Sequence, residues 1–361
     1  MMDSPIFVTR ALLPAKDLFL QYVDQIFASR QLTNNGPLVV KLEQELRAFL
    51  AAKYLALCSN GTLSLMLGIR ALGLTGKKVI VTPFTYVATL TALLWEQCQP
   101  VFVDIDRETL CLAPELVEQA LERDGDIAGI LPVHVYGVAC DVQALGAIAA
   151  KFKIPILYDA SHAFGVDFAG QSLLNYGEIS VCSFHATKVF HTVEGGVIIC
   201  HGESALHKVQ LLRAFGHIND NYMDIGINAK LSEFHAAMGL ALLRDLEQFR
   251  REREEVFSAY QELLAGKDYQ RPKLNPKQTQ NYAYYPLILP NEQHLLGAMA
   301  RMAKHNIHPR RYFYPSCNTM PYLAERTSCP VSEDISRRIL CLPIFPGLPK
   351  DKIATIVECL G

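Results

Sequence analysis

Short apolar runs rich in β-branched residues alternate along most of this chain with longer segments of helical spacing. Val79-Ile80-Val81, Val101-Phe102-Val103, Gly129-Ile130-Leu131, Ile154-Pro155-Ile156-Leu157 and Ile179-Ser180-Val181-Cys182 read as buried strands. Between them, Pro114 to Arg123 and Asp141 to Phe152 put their apolar residues on one helical face behind an acidic start. This rhythm predicts an α/β fold: a mostly parallel sheet covered by helices. Ligands of such sheets sit beyond the carboxyl ends of the strands. Asp159 and Ser183 each follow a strand, so both belong on that rim.

From Leu240 to Tyr260 the pattern becomes charged and helical, with Arg250-Arg251-Glu252-Arg253-Glu254-Glu255 as a solvated stretch. It divides the chain into a large domain, residues 1–240, and a smaller α+β domain, residues 241–361. In the smaller one Tyr282 to Leu289 reads as a strand, Glu292 to His305 as a helix and Ile339 to Ile344 as a second strand. Lys267 to Gln280 is polar and proline-bearing and reads as a surface loop.

The size of the chain, 361 residues, fits two such domains, and half of its residues are hydrophobic, enough for a large core. A net charge of -2, from 34 basic and 36 acidic residues, provides no global field for nucleic acid or an anionic membrane. An anionic ligand must therefore be captured locally. Met1 to Pro5 carries no signal-peptide pattern, and no apolar run approaches the ~18 residues of a membrane span. The expectation is a cytoplasmic protein without membrane contact. Ten cysteines lie in apolar stretches without a CxxC pair and read as reduced core residues, Cys317 being the least certain of them.

The candidate chemistry is concentrated in Ser183-Phe184-His185-Ala186-Thr187-Lys188, with Asp159-Ala160-Ser161-His162 one strand earlier. An amine, a carboxylate and backbone donors are what pyridoxal phosphate needs for its aldehyde, ring nitrogen and phosphate. Alone, Lys188 reads as a surface lysine and Asp159 equally as a helix cap. Cys58-Ser59-Asn60-Gly61-Thr62 opens a helical run, Leu63 to Leu72, whose free N–H groups suit a phosphate, and Ser183 can add a hydroxyl. Tyr86 and His162 can cover the two faces of a ring, although isolated aromatics more often simply pack. No metal-ligand cluster is visible.

These motifs, in this order, resemble the DegT/DnrJ/EryC1/StrS aminotransferases, a branch of the fold type I pyridoxal phosphate enzymes. The likeness runs from Leu32-Thr33-Asn34-Asn35-Gly36-Pro37 through Asp159-Ala160-Ser161-His162-Ala163 and the Lys188 segment to Leu342-Pro343-Ile344-Phe345. It implies a mostly parallel, seven-stranded sheet in the large domain. It also makes Lys188 the Schiff-base lysine and proton carrier and Asp159 the partner of the pyridine nitrogen. Gly61, Thr62 and Ser183 fall around the phosphate, Tyr86 at the stacking position and His162 on the opposite face. Asn228 matches an asparagine that reaches the phosphate from a neighbouring subunit, which implies a homodimer with shared active sites. His191 and Lys230 depart from the asparagine and arginine that many relatives carry.

The wording around Lys188, and His308-Pro309-Arg310-Arg311-Tyr312-Phe313-Tyr314-Pro315, most resembles the members that form a dTDP-linked 4-amino-4,6-dideoxyglucose. The implied reaction takes the amino group from L-glutamate to dTDP-4-dehydro-6-deoxy-D-glucose, with His185, Arg310 and Tyr312 at the sugar nucleotide. UDP-linked 4-keto sugars and 3-keto sugars are rival substrates, and a non-catalytic ligand-binding regulator is the rival class. A Rossmann-type oxidoreductase lacks its GxGxxG after the first strand.

Overall fold

The computed structural model describes residues 4–361, so part of the N-terminal stretch read above, Met1 to Asp3, lies outside it. Seven strands form the main sheet: β1 (Tyr54–Cys58), β2 (Lys78–Val81), β3 (Gln99–Phe102), β4 (Ile127–Leu131), β5 (Leu157–Asp159), β6 (Ile179–Ser183) and β7 (Gly196–Cys200). Ladders join β1-β7-β6-β5 and β3-β2-β4, and parallel bridges Ile130 to Ile156 and Val133 to Asp159 connect the two groups. The order is therefore β1-β7-β6-β5-β4-β2-β3. All neighbours are parallel except β7, which runs against both β1 and β6.

Strand period decides which layer each residue joins. Leu55, Leu57, Ile80, Val197 and Ile199 point into one core, with the helices Pro37–Leu50, Val142–Phe152 and Glu233–Leu243. Ala56, Cys58, Val79, Val81, Ile198 and Cys200 point into the other, with Gly61–Ala71, Val87–Trp95 and Glu203–Arg213. A third core gathers Phe257, Tyr260, Leu295, Met302, Leu340, Ile344 and Ile356 around β8 (Tyr285–Ile288) and β9 (Ile339–Leu342), which pair antiparallel. The strand Ile6–Phe7 crosses to this part of the molecule and pairs with Ile307–His308.

The expected strand at Ile154 to Leu157 is displaced toward its C-terminus. Pro155 has no N–H to give a ladder; its carbonyl accepts from Ile130 instead, and regular pairing starts at Leu157. Asp159 and Ser183 are thus each the last residue of a strand rather than just past its end. The charged helical stretch is two helices, Glu233–Leu243 and Leu246–Leu263, broken at Arg244-Asp245. Residue 240 lies inside the first of them, packed in the main core. The Lys267–Gln280 stretch is a loop fixed at several points. The Gln278 side chain accepts from the Ala139 N–H and donates to the Gly137 carbonyl, while Arg271 lies over the rings of Phe257 and Tyr285.

All ten cysteines are buried and free, Cys317 included. No helix among the described residues is long and apolar enough to cross a membrane. Glu233, fully buried, accepts from the N–H groups of Leu38 and Val39 and so caps the Pro37–Leu50 helix, whose Gly36 offers no side chain for the purpose. A Cβ on Gly36 would lie 2.5 Å from that carboxylate carbon, which explains the glycine at this position.

Candidate active site

The carboxyl ends of β1, β5 and β6 surround a cavity of about 260 Å³. Its lining includes Gly61, Thr62, Tyr86, Asp159, His162, Ser183, His185, Lys188, Arg310 and Tyr312. Ten positions singled out from the sequence thus share one site. Asn228 does not line it: its side chain is exposed and accepts from Lys230 Nζ at 2.7 Å.

Lys188 sits on the loop between β6 and β7. That loop is closed at its base, where the Phe184 N–H donates to the Gly195 carbonyl (2.8 Å) and the Thr192 N–H to the Phe184 carbonyl (3.0 Å). Burial pushes the Lys188 amine below its ordinary range, and the charge of Asp159 opposes the shift in part. Asp159 itself is buried. Its Oδ1 accepts from the Ser161 N–H at 3.0 Å and its Oδ2 from the Thr89 hydroxyl at 2.7 Å. A buried carboxylate without such donors would be costly.

The helix Gly61–Ala71 aims its N-terminus at the same space. Asn60 caps it, Oδ1 accepting from the Leu63 N–H at 2.8 Å. The amides of Gly61 and Thr62 are left without a protein acceptor among the described residues. Gly61 packs so closely on β6 that an added Cβ would lie 2.7 Å from Ser183 Cβ. Gly61→Ala is accordingly expected to lose about 1–3 kcal/mol of stability by overpacking and to weaken phosphate-bearing ligands, as checked by thermal denaturation and ligand titration.

His162 is buried, and its ring lies parallel to Phe313 at 5.6 Å and edge-on to Tyr284 at 4.8 Å. Its Nδ1 accepts from the Tyr136 N–H, so Nε2 carries the proton; burial and the nearby Lys188 hold the ring well below the usual imidazole range. Tyr86 occupies the N-cap position of the Val87–Trp95 helix without a side-chain capping bond and is 54% exposed at the mouth. His185 is exposed. It accepts from the Thr187 N–H through Nδ1 and turns Nε2 toward Glu194 at 3.6 Å. An amine, an ionisable carboxylate held on both oxygens, and two open amides at a helix start meet the demands of pyridoxal phosphate. The chemistry of the donor set therefore fits that cofactor.

The family model describing the DegT/DnrJ/EryC1/StrS aminotransferases matches residues 15–361. The chain belongs to this family. The aminotransferase is 38% identical to a dTDP-4-amino-4,6-dideoxy-D-glucose transaminase of Shigella dysenteriae, over 99% of each chain. It is 33% identical to a transaminase of the same name from Escherichia coli, over 100% of this chain and 99% of the relative. Among solved structures it resembles DesI in the presence of its TDP-sugar product: TM-score 0.92, 28% identity, 99% of this chain and 92% of that one. A putative PLP-dependent aminotransferase from Bacillus cereus gives TM-score 0.91 at 26% identity, covering 99% and 100%.

Within this aminotransferase the two adjacent arginines behave differently. Arg311 is engaged by Glu292 Oε1 at 2.6 Å, by the Arg337 carbonyl and by the ring of Tyr314, whereas Arg310 lines the cavity, 5.4 Å from the ring centre of Tyr312. His191 is buried away from the cavity and spans two segments, with Nε2 bonded to the Leu12 carbonyl and Nδ1 accepting from the Val193 N–H. Lys230 lies over Phe215 at 4.6 Å.

The sequence reading assigned no role to Thr85, Thr89, Glu194 or Tyr284, all of which line the cavity, as does Phe313. The spacing of Thr85 and Thr89, four apart at a helix start, is the one signal that placed two hydroxyls together. Tyr284 and Phe313 arrive from the distant C-terminal region; Phe313 belongs to the run from His308 to Pro315 singled out above, whereas nothing local marks Tyr284.

Proposed function

We propose that this aminotransferase holds pyridoxal 5'-phosphate in the cavity between Lys188 and Asp159 and transfers the amino group of L-glutamate to a nucleotide-linked 4-keto-6-deoxy sugar. The substrate in this reading is dTDP-4-dehydro-6-deoxy-D-glucose, giving dTDP-4-amino-4,6-dideoxy-D-glucose. The carrying observation is the meeting, in one cavity, of a partly desolvated amine and a buried, doubly hydrogen-bonded carboxylate. The relatives from Shigella dysenteriae and Escherichia coli, alike over nearly their whole length, support the sugar.

When bound, the cofactor supplies an electron sink for the carbon that loses its proton. The chain's own residues do the rest. Gly61, Thr62 and Ser183 hold the phosphate, and Asp159 keeps a proton on the ring nitrogen by charge. Tyr86 and His162 confine the ring. Lys188 Nζ is the covalent anchor and then moves the proton between carbons, a task for which the amine must be neutral; burial favours that state. Arg310 offers a guanidinium to the carboxylate or pyrophosphate of a substrate, with Tyr312 and His185 beside it.

The same reading has the protein as a homodimer in which Asn228 of one subunit completes the phosphate site of the other. The segment leading to Asn228 supports it: Phe215, Ile218, Tyr222, Met223 and Ile225 are all at least half exposed, forming an apolar surface suited to a second copy. The reaction is tested by the absorbance of cofactor-loaded protein. L-Glutamate should abolish the visible band, and dTDP-4-dehydro-6-deoxy-D-glucose should restore it. Loss without restoration leaves the aminotransferase and overturns the sugar; a wild-type protein that never takes up the cofactor overturns the cofactor assignment.

A further inference from the structure

Asp159 does not face the cavity as a free carboxylate. Thr89, fully buried in the first turn of the Val87–Trp95 helix, donates its hydroxyl to Asp159 Oδ2 at 2.7 Å, and Thr85 Oγ1 lies 2.8 Å from Thr89 Oγ1. The direction of the chain is fixed by what each group can do. An ionised carboxylate only accepts, so the Thr89 proton goes to Asp159. Thr89 must then accept from Thr85, and Thr85 is left with lone pairs at the cavity wall. A helical threonine commonly bonds the carbonyl four residues back. Here that carbonyl, of Thr85, accepts from Cys317 Sγ at 3.4 Å, and the Thr89 hydroxyl is directed to Asp159.

The other oxygen, Oδ1, is fixed by the Ser161 N–H. The backbone around it is fixed as well: the Asp159 N–H donates to the Pro132 carbonyl and its carbonyl accepts from His134. The side-chain plane is thus set by donors on both oxygens, and the lone pairs remaining are those turned to the cavity.

We propose that Thr89, backed by Thr85, is a positioning residue that holds the Asp159 carboxylate in the orientation that receives the ring N–H of the cofactor, resting on the cofactor assignment made above. Thr89 stands in the cavity wall beside Asp159, and in this role it acts through that carboxylate, to which its hydroxyl donates. Its effect is therefore confined to ligands that carry a ring N–H.

The experiment compares apoprotein affinities for pyridoxal 5'-phosphate and for its 1-deaza analogue, in which the ring nitrogen is replaced by C–H. T89V, nearly equal in shape, should weaken pyridoxal phosphate about tenfold and leave the deaza analogue unchanged. T89S should restore the wild-type value. T85V, which removes the second hydroxyl, should weaken pyridoxal phosphate about threefold with no effect on the analogue, and it supplies the test should T89V fold poorly. Equal weakening of both ligands, or of neither, would overturn the positioning role while wild-type binding kept the cofactor assignment intact. Failure of the wild type to bind pyridoxal phosphate overturns both.

Discussion

Lys188→Ala should fall to background turnover while the protein keeps its fold. Proton transfer by a positioned side chain contributes about 10²–10⁴-fold, and in the proposed reaction Lys188 is in addition the covalent anchor, so the loss in kcat is expected at or beyond the upper end of that range. The side chain spans desolvated space beside Asp159, and its ammonium is disfavoured there, so its removal costs little stability. Unchanged thermal denaturation together with loss of steady turnover is the predicted pair of results. Retained turnover would require another base in the cavity. The nearest imidazole by charge coupling, His162, has its Nδ1 occupied by the Tyr136 N–H.

Asp159→Asn should cost about 10²–10³-fold in kcat and weaken the cofactor, because the variant keeps the shape and loses the charge. Its amide also creates a local conflict. Both oxygens of the native group accept, from Thr89 and from Ser161. Asparagine must turn its NH₂ toward one of these donors or toward the ring nitrogen. Asp159→Ala avoids the conflict but leaves the buried Thr89 hydroxyl without its acceptor, at about 1–3 kcal/mol. Cofactor titration and single-turnover kinetics of the two variants separate charge from occupancy: the alanine variant should be the less stable, and both should be catalytically poor.

The rim of this site was legible because its residues belong to strand ends. Runs such as Ile179 to Cys182 identify themselves by β-branched content, and the polar residue that follows each is placed by the direction of the strand. β1 and β7 were not read from the pattern. Tyr54-Leu55-Ala56-Leu57-Cys58 uses residues that suit a helix as well, and five residues are too few for a period to decide. Gly196 to Cys200 is short and begins on the second of two glycines, so its pairing on both sides is a tertiary fact. The position of Gly61 was read from its chemistry, but its contact with Ser183 depends on β1 and β6 flanking β7. Thr89 hides for a different reason: in an apolar helix a threonine looks like packing, and only the neighbouring strand reveals what its hydroxyl meets. Arg310 and Arg311 are adjacent in sequence and separated by their partners: Glu292, which engages Arg311 and leaves Arg310 to the cavity, lies outside any short window around them.

The reversal of β7 bears on the timing of turnover. Gly196 pairs with Ser183 on one side and with Cys58 on the other, so the backbone leaves the rim at Phe184 and comes back to it at Gly195 without passing under the sheet. The amine is tethered to a loop with both feet on one edge. If, as proposed, a substrate displaces it, the distance it can drift is set by its own four methylenes, and coming back within reach needs rotamer changes on roughly the nanosecond scale rather than a slower loop movement. In the proposed cycle the waiting time then belongs to substrate entry, the covalent steps or product release, and not to movement of the loop that carries the lysine.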